Sequence, residues 1–178
     1  MPSPAAPVDA SEPPEAPRQP RPSVGARERR ETERLIADWE AETRRLGLAL
    51  ALMTLDASVI TGPKWAHRFI IAVSPIIEDS SFLFYGAGFA ALLTLPERPD
   101  QSAPMVAQLP GRHVPVFTRG CIAATLRSVP VRIEGTVLRE DCRQEFYRAA
   151  FIAVGSEPHR QQRLVFGAFN CRLAERRG

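Results

Sequence analysis

The chain has 178 residues, 44% of them apolar, with 23 basic against 20 acidic side chains. That is the size of one domain with an appendage and apolar content for one ordinary core, and a net charge of +3 is too small to mark a nucleic-acid partner. Three cysteines without a CxxC pair argue against a disulfide framework and against a zinc site, so no metal is expected. No apolar run reaches the roughly 18–20 residues that cross a bilayer, and the N-terminus lacks the basic-then-apolar order of a signal peptide. These features predict a cytoplasmic protein with reduced thiols and no membrane segment.

Residues 1–26 hold eight of the seventeen prolines, among Ala, Ser and Glu, and predict a disordered tail. The domain is expected over 27–178. Arg27–Leu46 contains neither Pro nor Gly and is rich in Arg, Glu and Ala, which predicts a helix. Ile36, Trp39, Thr43 and Leu46 form one narrow, mostly apolar stripe on it, and Glu40 and Arg44 an i, i+4 pair. The stripe is too short for a coiled coil. It packs on its own domain or on a copy of itself. Leu48–Leu55 leans towards helix, and Gly62-Pro63 signals a turn.

His67–Ile77 reads as a buried strand, with Pro75 marking an edge or bend. Glu78–Ser80 turns the chain into a second strand, Ser81–Tyr85. After Gly86-Ala87-Gly88, Phe89–Leu95 is a short helix, 96–103 a polar loop and Met105–Leu109 a single helical turn. Val116–Arg127 is the main helix. Phe117, Cys121 and Ala124 share its buried face, and small residues at Gly120, Ala123 and Ala124 let it lie close to a sheet. Three strands close the chain: Val131–Arg139, Gln144–Val154 and Arg163–Leu173. The first alternates cleanly between Val131, Ile133, Gly135, Val137 and Arg132, Glu134, Thr136. The other two carry apolar groups on both faces, so the sheet must be covered on both sides. The central helices supply one cover, and the Arg27–Leu46 helix or a second subunit the other.

Five strands with short helices between the second and third resemble the PAS-domain superfamily. FIIAVSPIIEDSSFLFYGAGFAALLTLP is similar to the first PAS hairpin and its following helix, and PVFTRGCIAATLRSVPVRIEGTVLRED to the central helix and third strand. REDCRQEFYRAAFIAV and LVFGAFNCRL resemble the fourth and closing strands. The span from about Arg27 to Leu173, with Trp39 on a leading helix, resembles the small stand-alone PAS-like proteins of alphaproteobacteria. The resemblance implies an α+β fold: a five-stranded antiparallel sheet with helices on one face, preceded by an N-terminal helix and a Pro-rich tail. One departure is the turn at Glu140–Arg143, where a residue of positive φ is wanted and Cys142 stands instead of Gly.

The chain carries no GxGxxG, P-loop or GxSxG, and no catalytic residues are expected. His67, His113 and His159 are scattered, and the central helix carries no His to hold haem. Cys121 lacks the motif of flavin photochemistry, so no cofactor is expected. Phe89, Phe117, Cys121 and Arg148 are candidates for the lining of a pocket. Arg148 also has a structural role open to it, a cross-strand pair with Glu134. The resemblance implies a regulatory module that works by self-association, by binding a signalling protein, or by holding a small apolar ligand. An alternative is a small cavity-bearing enzyme or carrier for an apolar molecule, with Arg148, Tyr147 or Asn170 aimed into the cavity. Nucleic acid is not expected, because Glu28, Glu31, Glu33, Glu40 and Glu42 cancel the arginines around them.

Overall fold

A computed structural model describes residues 24–46, 65–127, 129–154 and 163–174. The proline-rich tail up to residue 23, the Leu48–Leu55 segment, the Gly62-Pro63 turn and the loop bearing His159 lie outside the described residues, as do the side chains of Thr43 and Leu46.

The first helix, α1, spans Val24–Leu46 and so begins three residues before Arg27. β1 is Arg68–Val73, shorter than expected, because the chain bends at Ser74–Ile76 around Pro75 before a 3-10 turn at Ile77–Asp79. β2 is Ser81–Tyr85, α2 Ala87–Leu93, α3 Met105–Gln108 and α4 Val114–Thr125. β3 is Val131–Leu138, β4 Gln144–Val154 and β5 Arg163–Leu173. Local chemistry sets the ends. Pro115 occupies the first turn of α4, where no intrahelical donor is needed. α2 closes with Leu95 N–H on the Ala90 carbonyl and Thr94 N–H on Ala91, with Thr94 itself left-handed at φ 56°.

All pairings are antiparallel, and the strand order is β2-β1-β5-β4-β3. α2 to α4, inserted between β2 and β3, cover one face. α1 lies on the other, against β4 and β5. This is the PAS-like α+β arrangement that the resemblance implied. The alternation decides which residue faces which layer. Phe69, Ile71, Tyr147, Ala149, Phe151, Val165 and Phe169 point to the helical side and build the main core with Phe82, Phe89, Phe117 and Cys121. Ile70, Ala150, Ile152, Phe166 and Ala168 point the other way, into a second cluster with Leu35, Ile36 and Trp65. α1 therefore buries Thr32, Leu35 and Ile36, while Trp39 is half-buried. Ile36 and Trp39 lie on this face as the expected stripe has them, and Thr32 and Leu35 extend it towards the N-terminus.

Glycine makes the close approaches. A Cβ on Gly120 would lie 2.3 Å from the Phe151 ring, so α4 rests directly on β4. On β5, a Cβ on Gly167 would come 1.9 Å from Phe69.

Candidate functional site

The helical side of the sheet, where a PAS-like cavity would be sought, is filled. Phe69 meets Phe89, Phe117 and Phe151 at ring-centroid distances of 5.3, 5.1 and 5.5 Å, and Phe117 meets Phe169 at 5.3 Å. Edge and tilted contacts of this kind favour one mutual arrangement. Phe69, Phe82, Phe89, Phe117, Cys121, Phe151 and Phe169 are all 0% exposed, so no space wide enough for a water molecule touches them. Burial pushes the Cys121 thiol up to about 12, which leaves it a small inert hydrophobe.

The structure divides the four candidate pocket residues. Phe89 and Phe117 are in contact, 5.7 Å between centroids, and Cys121 follows Phe117 on the same face of α4. Arg148 sits in the opposite alternation phase, on the outer face, with its Nε 3.1 Å from Glu134 Oε2. The β-sheet lies between it and the other three, so the four line no common cavity. The same parity separates the carrier candidates. Tyr147 stacks on Phe169 inside, at an interplanar angle of 16°, while Arg148 and Asn170 are cross-strand neighbours outside.

The outer face carries the less ordinary chemistry. Arg68, on β1, is buried, and its guanidinium donates to Asp38 Oδ2 of α1 at 2.7 Å while lying 5.4 Å from the Trp65 ring centroid. At the other end of the docked segment, Arg132 of β3 donates to Glu33 at 3.1 Å. These two pairs place α1 across the strands, from the β3 edge to β1. Beyond it no described element covers the outer face. Glu134, Arg148, Thr136, Phe146 and Arg172 line a groove of about 310 Å³ there, adjoining a second of about 440 Å³ beside Thr32 and Glu33. Phe146 is 39% exposed, with Arg172 over its ring at 5.4 Å.

A third cluster was missed by the reading of the sequence. His113, directly before α4, is wholly buried against Phe169, and its Nε2 is 3.5 Å from Oε1 of buried Glu145. Arg112 Nε donates to Glu145 Oε2 at 3.3 Å, and Arg139 approaches to 4.0 Å. Burial drives His113 down to about 4. Glu145 opposes that shift and Arg112 adds to it. His113 is thus neutral at neutral pH, and no hydroxyl or thiol nucleophile is among these partners. The signal was available, since Glu145 shares the phase of Tyr147, Ala149 and Phe151 and so had to point inward. At the β3–β4 turn, Cys142 takes φ 58°, the conformation that position demands. Asp141 there is held below the ordinary carboxylate range, chiefly by the hydrogen bond from Arg143.

Among the described residues no group of three or more His, Cys, Asp and Glu could hold a metal, and no helix is long and apolar enough to cross a membrane. No family model and no curated protein sequence matches the chain. Solved structures do. The PAS domain of a protein from Colwellia psychrerythraea is 12% identical over 57% of this chain and 84% of its own, with a TM-score of 0.37. A fungal LOV-domain photoreceptor is 11% identical over 70% of this chain and 93% of its own (TM-score 0.40). The photo-excited blue-light photoreceptor Vivid is 13% identical over 73% and 93% (TM-score 0.36). The fold is PAS-like by its strand order and by the helices inserted between β2 and β3.

Proposed function

We propose that the protein is a non-catalytic regulatory module that acts through protein–protein contact on the outer face of its sheet, with α1 as the movable element. One observation carries this reading. The inner face is closed by interlocking rings, whereas on the outer face the described cover is α1, which docks through Leu35, Ile36 and half-buried Trp39 and through the Arg68–Asp38 and Arg132–Glu33 pairs. Leu35 and Ile36 each contribute about 1.5–3 kcal/mol by burial. That is small enough for a partner with comparable contacts to displace the helix, and large enough to keep it docked otherwise.

The partner is a signalling protein that occupies the sheet surface α1 vacates, where Ile70, Ile152 and Phe166 lie. The test is capture of partners by the full-length protein and by Asp38→Ala, which loosens α1. Retention of a partner that rises in the variant supports the reading. Retention that falls makes the docked helix itself the recognised surface. A native mass spectrum serves as the control: a co-purifying apolar molecule would replace this reading with that of a ligand-binding module.

A further inference from the structure

The two edges of the sheet are finished differently. The β2 edge is interrupted and covered. The register with β1 shifts between Ile70 and Ile71, which leaves Leu83 bulged, and Gln101 Nε2 donates to the Leu83 carbonyl at 3.0 Å. The β3 edge is regular: eight residues pair with β4 without a shift. The Arg139 N–H on the Arg143 carbonyl sets the alternation there, so the odd-numbered residues of β3 bond to β4. The N–H and C=O groups of Arg132, Glu134, Thr136 and Leu138 therefore point out of the sheet. Among the described residues nothing bonds to them.

We propose that this edge pairs with the same edge of a second copy, antiparallel, joining two five-stranded sheets into one. Its charge pattern selects the partner and the register. With Ile133 facing Ile133 of the second copy, Arg132 lies opposite Glu134 and Glu134 opposite Arg132, about 5.5 Å apart at Cα. Moving the axis one residue either way sets Glu134 against itself or Arg132 against itself. The chosen register also extends contacts already present. Arg132 is paired with Glu33 and Glu134 with Arg148, so each crossing forms a chain of four alternating charges, Glu33, Arg132, then Glu134 and Arg148 of the second copy. Charged residues on an edge commonly repel foreign strands. Here their alternation is self-complementary, and the opposite edge shows that this fold has another way to close an edge.

The α1 stripe does not compete for this role, because Leu35 and Ile36 are spent on their own sheet. The inference stands independently of the regulatory reading. The test is sedimentation velocity of the full chain up to about 100 μM, where a specific dimer of micromolar affinity is fully formed. A dimer is expected. Glu134→Pro removes an outward donor without touching a bond to β4 and gives a monomer. Glu134→Arg weakens association at least about tenfold, and Arg132→Glu with Glu134→Arg restores it. Should the proline variant fail to fold, the charge pair alone decides. A wild-type monomer at every concentration overturns the proposal, as does a dimer indifferent to both Glu134 variants.

Discussion

The two faces of the sheet are built from the same three strands and behave as opposites. On the inner face, Phe69, Phe117, Phe151 and Phe169 contact one another from β1, α4, β4 and β5, so shifting any one disturbs the rest. On the outer face, Ala150, Ala168, Ile152 and Phe166 offer a shallower surface, and the middle of the helix over it is positioned by charge at Glu33 and Asp38. One face specifies the fold. On the proposed reading, the other releases the helix without unfolding the sheet.

Four changes break or sharpen that contrast. The largest effect is expected inside. Phe117→Ala empties the centre of the ring cluster and costs about 3–5 kcal/mol in urea unfolding of the sheet. Next comes the buried imidazole. The unfolded chain takes up a proton near pH 6.5, which folded His113 refuses until about 4. Stability is therefore complete above about 6.5 and falls as pH drops through that window, by about 3 kcal/mol in all. Thermal melts across pH 4–7 should show the slope, and His113→Gln should flatten it.

The outer pin is smaller. Asp38→Ala leaves buried Arg68 without its carboxylate, and about 2 kcal/mol is lost from α1 docking. Arg68→Met together with Asp38→Ala recovers most of it, because no charge is then left buried. Double-mutant melts measure the difference. Smallest is Thr94→Gly. A β-branched residue at φ 56° is strained, and glycine there adds about 1 kcal/mol to the melting free energy at a site away from both faces.

Most of the architecture was legible in the sequence because it rests on period two. The alternation over 131–137 and 144–154 assigned each strand residue to a face, and Gly120 marked where helix and sheet touch. The turn position of Cys142 was legible for the same reason, since hairpin geometry dictates its φ. What was not legible came from contacts distant in the chain. Nothing local tells that Arg68 will meet Asp38 thirty residues earlier, or that His113 will be carried against Glu145. The pocket candidates went astray at Arg148, where parity alone would have set it apart from Phe89, Phe117 and Cys121.

Native-state hydrogen exchange on the full chain tests the central claim most directly. If α1 is a detachable cover, amides of Leu35 to Trp39 exchange through an opening of lower free energy than those of Val165 to Phe169. Asp38→Ala then speeds the first set and leaves the second unchanged. Equal protection in both segments, lost together in the variant, would make α1 an ordinary part of the core and contradict the account.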